Sequence, residues 1–417
     1  MGPPSRRGVQ EGYGAEELRA WDQRETLRPP PYRFGAARLL GGLELGDELF
    51  DALPAARLAC HGKNAGDVPQ LPEPAWADWE RLARGQALWN LHLSRSFAAL
   101  SLSLLSGFAI ARFGEVLLLN GYAQDGRTAM QRYQETGFAI TDWFRFDIRD
   151  PGSLARRSLY TVRAMHAFAR RRSQSLFDRS RGEGVALSQY DMAEVLLGFS
   201  GICMSVIENE LGFGPLPEPD SEDMCFYWRY LGYHLGILDA YNPCVSLADL
   251  RAVTADYMAW TPRRFETARA SCAELRRTAI EGFAMQTGLG ENFWYAAFDM
   301  IFDTDRVELK HTRPPLKFLP GVDVVARRSL RLFAHAPIAA AAGAFLIDAR
   351  DTKRDRPDKY QRRASLMLWS SKLHDTLIWR VVSCVYYMRY LVAFYVAARA
   401  LKAALPRVKA LRKAITA

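Results

Sequence analysis

The stretch RRSLYTVRAMHAFARRR, residues 156–172, carries the side chains best suited to chemistry in this 417-residue chain. If the stretch is helical, Arg163, His166 and Arg170 stand at i, i+3 and i+7, and at roughly 100° per residue they share one broad face. Two cations beside an imidazole disfavour a third charge and lower its pKa. A neutral imidazole is the form that binds a metal. Guanidiniums pair with carboxylates through a planar fork, so the same face suits a cofactor that brings its own acid groups, as haem does with two propionates. Taken alone, the pattern equally describes a structural or surface histidine.

Other chemistries find less support. The seven histidines are His61, His92, His166, His234, His311, His335 and His374. H-E-x-x-H and the paired Glu-x-x-His repeats of a di-iron carboxylate bundle are missing. So are the phosphate-binding G-x-x-x-x-G-K-[ST] loop and the G-x-S-x-G nucleophile turn. The six cysteines, at 60, 203, 225, 244, 272 and 384, show no C-x-x-C spacing, which argues against a zinc knuckle, an iron–sulfur loop or covalent haem attachment. Their scatter fits a reducing compartment. No apolar run follows the arginines of MGPPSRRGVQEGYG, so a signal peptide is not expected and a cytoplasmic location is.

The elements that must position His166 read as helices throughout. No strand alternation or βαβ rhythm is visible, and the expected class is all-α: a globin-like helical bundle core with additional helices and a C-terminal helical extension. Residues 1–35, polar and Pro-rich, read as an extended N-terminal arm. Residues 36–320 read as the main domain, with helices near 36–55, 76–92, 95–119, 127–143, 153–179, 188–210, 220–238 and 246–258, and a less regular stretch from 262. The run 95–119 is apolar but interrupted by Arg112 and Glu115, which suits buried core helices better than a membrane span. Ser188 and Asp191 read as an N-cap pair, and Trp228, Tyr230, Tyr233 and Met165 as core. Residues 321–350 read as an Ala-rich helical extension and 351–417 as a basic, apolar helical tail.

Net charge is +9 and is unevenly spread: residues 350–417 hold 16 Lys/Arg against 4 Asp/Glu. A basic, apolar tail is expected to make peripheral contact with an anionic membrane surface. Nucleic acid is a poor fit, because the cations are diluted by apolar helix. Arg380, Arg389 and Arg399 interrupt residues 365–404, which disfavours a spanning helix.

The order of motifs resembles the haem-dependent oxygenase family that includes latex clearing protein, a rubber oxygenase, and the fungal ER-bound oxygenase MpaB. The resemblance runs from about Pro74 to about Asp239 through PAWADWERLARGQALW, LSLLSGFAIARFGEVLLLNG, RYQETGFA, TVRAMHAFAR, LSQYDMAEVLLGF and YWRYLGYHLGI. It implies non-covalent haem b with His166 as the proximal iron ligand, and Arg163 and Arg170 as cofactor-binding arginines on the same helix. It also implies that Arg132 and Thr136 lie near the haem. Where the rubber oxygenase has a lysine before the threonine, this chain has Glu135, so substrate and distal chemistry stay open. His234, which lacks flanking arginines, is the runner-up ligand. The implied activity is an oxygenase using dioxygen on an apolar, isoprenoid or lipid-like substrate, with oxidative C=C cleavage as the family reaction. A haem monooxygenase, peroxygenase or desaturase is the enzymatic alternative, and a non-catalytic, membrane-peripheral helical protein is the alternative of another class.

Overall fold

The computed structural model describes residues 21–54, 68–121, 123–211 and 213–302, together with scattered positions between 356 and 373. Among them there is no strand, and the all-helical expectation holds. The Ala-rich 321–350 stretch and nearly all of the tail lie outside the described residues, as do His61, His311, His335 and His374.

A one-turn helix α1 (Glu48–Asp51) precedes α2 (Trp79–Leu91), α3 (Leu93–Gly107), α4 (Ala111–Leu119), α5 (Gly126–Arg145) and α6 (Leu154–Ser173). Then come α7 (Gln189–Leu197), which continues through two π-helical turns to Glu210, α8 (Glu218–His234), α9 (Leu247–Glu266), α10 (Ala270–Thr287) and α11 (Glu291–Phe302). The starts follow from local chemistry, because the first backbone N–H groups of a helix lack intrahelical acceptors. Asp78, Ser153 and Ser246 accept bonds from those amides, and Asp125–Thr128 and Ser188–Asp191 form reciprocal capping boxes.

The packing is built on α5 against α10, α2 against α8 and α5 against α6. The stack of Trp89 on Phe144, with centroids 4.3 Å apart and Trp228 edge-on to both, ties α2, α5 and α8 together. Gly282 allows α10 to close on α5, since a Cβ there would lie 2.8 Å from the Met130 amide nitrogen.

The 95–119 run is two core helices, α3 and α4, meeting at a 93° bend. The arginine that interrupts it is buried: Arg112 forks onto Asp191 at 2.6 and 2.8 Å and also donates to the Leu27 and Val185 carbonyls. Among the described residues one helix, Gln189–Asn209, is long and apolar enough to cross a membrane, and it is mostly buried in the core.

Three expectations need adjusting. The arm over 21–35 is irregular, as expected, but it is docked. Trp21 packs edge-on to Trp260 at 4.8 Å, and Gln23 bonds the Ala109 and Arg264 carbonyls. The 36–55 segment is only a 3-10 turn, Ala37–Gly42, and α1. From 262 to 302 the chain is mainly helical, as the end of α9, α10 and α11, and the rest of that stretch lies outside the described residues. Arg276 hides the apolar periodicity of α10 because it is itself buried over the Phe265 ring, beside Leu275, Ala279 and Phe283.

Candidate cofactor site

Helix α6 carries two kinds of surface. Arg156, Arg163 and Arg170 are seven residues apart, so at roughly 100° per residue they drift only slightly around the axis and form one stripe with Tyr160 and Ala167. All five side chains are buried. His166 stands at the edge of this stripe, toward the half-buried Val162, Met165 and Ala169.

Each arginine of the stripe is matched by a carboxylate from the chain before α2. Arg163 forks onto Asp47, with Nε to Oδ2 at 2.6 Å and Nη2 to Oδ1 at 2.8 Å, and lies 4.4 Å over the Phe50 ring. Arg170 donates to Asp51 at 2.6 Å and to the Leu187 carbonyl at 2.9 Å. Arg156 pairs with Glu73. The cofactor-binding arginines read from the sequence, Arg163 and Arg170, are thus already engaged with the protein's own acids.

The same stripe holds His234, at the end of α8. Its side chain is fully buried. Nε2 lies 2.7 Å from Arg156 Nη1, and Nδ1 lies 3.0 Å from the Tyr160 hydroxyl. A guanidinium only donates, so Nε2 is the acceptor and the ring proton sits on Nδ1, pointing at Tyr160. Tyr230 donates to Glu73 at 2.7 Å and closes the cluster. Burial, then Arg156 and Arg163, depress the His234 pKa to about 2. Both nitrogens are committed, so this histidine is scaffold. Sequence spacing showed no arginines flanking it; the fold supplies them from α6.

His166 differs. Burial, then the charges of Arg132 and Arg170, push its pKa down to about 3. Its ring is neutral at physiological pH, as the sequence predicted. Its Nδ1 is buried with no hydrogen-bond partner among the described residues. A buried polar atom left unpaired costs ~1–3 kcal/mol, and native structures rarely retain one without a reason.

Of the other candidates, Arg132 lies close enough to perturb His166 and donates from Nη1 to Thr136 Oγ1 at 3.1 Å. Thr136 returns a bond to the Arg132 carbonyl at 3.2 Å. One residue on, Gly137 faces the ring of Phe97 on α3, 3.5 Å from where a Cβ would lie. Glu135 is on the exposed side of α5. The structure therefore brings together His166, Arg170, Arg132 and Thr136, and places Arg163 in the His234 cluster.

Among the described residues no group of three or more His, Cys, Asp and Glu side chains could hold a metal ion. The neutral ring and its unpaired Nδ1 fit an imidazole with one nitrogen available to a metal. Sequence reasoning missed Asp47, Asp51 and Glu73, which lie 83 to 119 residues from the arginines they meet. The one available signal was the seven-residue arginine spacing.

Comparison with known proteins places these helices. A family model described as "ER-bound oxygenase mpaB/B'/Rubber oxygenase, catalytic domain" matches residues 89–346. A solved structure of latex clearing protein in the closed state is similar over 88% of this chain and 95% of that chain, at 16% identity and a TM-score of 0.45. No curated protein matches.

Proposed function

Because the chain belongs to the mpaB/rubber oxygenase catalytic-domain family, we propose that it is a haem-b-dependent oxygenase with His166 as the iron ligand and an apolar, isoprenoid-like substrate. The observation that carries the reading is the neutral His166 ring with its buried, unpaired Nδ1. Haem, when bound, supplies an iron at which dioxygen is activated. The protein's own contribution follows from its side chains. His166 keeps the lone pair of one ring nitrogen because burial and two neighbouring cations prevent protonation. Arg132, steadied by Thr136, holds a positive charge beside the site. Phe97 and the half-buried Val162, Met165 and Ala169 offer apolar surface that suits a prenyl chain better than a polar substrate.

Oxidative C=C cleavage is the proposed reaction. Incubation of the reconstituted protein with an unsaturated isoprenoid under ¹⁸O₂ is expected to give two carbonyl fragments, each carrying one labelled oxygen. A single labelled oxygen in an uncleaved product would instead indicate monooxygenation.

Access to such a substrate is proposed to run along an anionic membrane. Near positions 365–373 a helix docks through Ser371, which is buried, and Ser370, which donates to the Gly288 carbonyl at 3.4 Å. Leu366 and Trp369 on its other side are 63% and 64% exposed, with Arg362 and Lys372 exposed beside them. An apolar edge with flanking cations is the composition of an interfacial helix. Co-sedimentation of the full chain with phosphatidylglycerol vesicles is expected and should fall strongly in Trp369→Glu. Equal sedimentation of both proteins would refute this surface.

A further inference from the structure

The three carboxylates on the arginine stripe all come from the chain before α2, outside the family-matched region that begins at residue 89. They are not loosely placed. Asp47 caps α1 by accepting from the Phe50 amide, and Asp51 accepts from the Asp47 amide at 3.0 Å. Gly46 leaves no room for a side chain, since a Cβ there would lie 2.4 Å from Asp51 Oδ2 and 3.3 Å from Arg170 Cδ. Gly236, at φ +92°, faces Asp47 and Arg163 with the same closeness, at 2.5 and 2.9 Å. Gln189, at the start of α7, donates to the carbonyls of both glycines at 2.8 and 2.9 Å. One turn of helix is thereby locked between α6, α7 and the end of α8.

We propose that this N-terminal segment is a brace for the ligand helix: Asp47 and Asp51 fix the rotation of α6 about its axis, Asp51 offsets the Arg170 charge near His166, and the two so act as positioning residues through it. Two attachments seven residues apart on one stripe set the direction in which every other side chain of the helix points. His166 lies three residues after one attachment and four before the other. Arg163 and Arg170 thus hold the helix to the brace instead of anchoring a ligand's acid groups.

The inference rests on His166 as haem ligand, and its test separates the two. Asp51 is the more exposed of the pair, at 29% of its side chain, so Asp51→Asn should fold. In the haem-loaded protein it leaves the Arg170 cation uncompensated one turn from the ligand. The iron midpoint potential should therefore rise, since added positive charge favours the ferrous state, and the ferric spin-state bands should change. Asp51→Asn combined with Arg170→Met should return both toward wild type. If Arg170 instead held a haem propionate, Arg170→Met would weaken haem binding whether or not Asp51 is present, and Asp51→Asn would leave the potential unmoved. Either result overturns the brace. Hydrogen exchange of the cofactor-free full chain is the second readout. Amides of 160–173 should exchange several-fold faster in Asp47→Asn and in Asp51→Asn, with smaller changes outside α6 and the one-turn α1 that Asp47 caps. Unchanged exchange within α6 refutes the brace. Absence of any haem band in wild type refutes the haem reading, while the exchange result still decides the brace.

Discussion

Two histidines, His166 on α6 and His234 packed against it, differ in their hydrogen bonding. His234 has both nitrogens bonded, to Arg156 and Tyr160, inside a cluster whose charges are matched by Glu73 and Asp47. His166, next to the same stripe, has an unpaired Nδ1 and two cations in electrostatic reach. Both are held neutral by burial and neighbouring arginines, so pKa alone does not tell scaffold from site. Hydrogen bonding separates the two rings: both nitrogens of His234 are spent on packing partners, whereas His166 keeps an unpaired nitrogen.

If the distinction is right, damage on the His234 side reads out as stability and damage on the His166 side as lost cofactor. The largest effect is expected from Arg163→Met, which strands the buried Asp47 carboxylate and should cost ~3–5 kcal/mol in urea unfolding. His234→Leu leaves Arg156 and Tyr160 short of a partner and should cost ~1–3 kcal/mol, while the haem spectrum survives. A loss of the spectrum without a loss of stability in His234→Leu would reverse the assignment of the two rings.

The same histidine predicts a pH dependence. Its folded-state pKa lies below the ordinary value, so its contribution is complete above pH ~6.5 and is lost as pH falls toward about 2, because only the unfolded chain takes up the proton. Between pH 7 and pH 5 the wild type should lose about 2 kcal/mol more unfolding free energy than His234→Leu. Parallel pH profiles would show that the ring is not kept neutral. The smallest effect is expected from Glu135→Gln, on the exposed side of α5, which should change stability by no more than ~0.5 kcal/mol and leave the spectrum intact. A spectral change there would bring Glu135 back to the site.

Much of this was legible in the sequence because it is local. The capping pairs, the Asp125 and Ser188 starts and the apolar α3–α4 run all declare themselves within a few residues. The proximity of Arg132 to Thr136 follows from i, i+4 spacing. The neutral state of His166 is expected from the sequence, but its largest cause, burial, is not; of the two flanking arginines Arg170 contributes, and the second cation is Arg132 from α5 rather than Arg163. What stayed hidden is long-range pairing. Nothing in residues 44–75 announces that Asp47, Asp51 and Glu73 will meet arginines on α6. His234, read as the weaker ligand for want of flanking arginines, is surrounded by them once α8 folds onto α6. Helix α10 was missed because a buried Arg276 reads as polar in sequence and behaves as packing in the fold.

The most direct test is optical. Wild-type protein, His166→Ala and His234→Leu are loaded with haemin, reduced, and exposed to carbon monoxide. Wild type and His234→Leu should show the Soret shift of an imidazole-ligated haem, and His166→Ala should lose it while unfolding at nearly the wild-type urea concentration. An unchanged spectrum in His166→Ala would contradict the assignment of the iron to this residue.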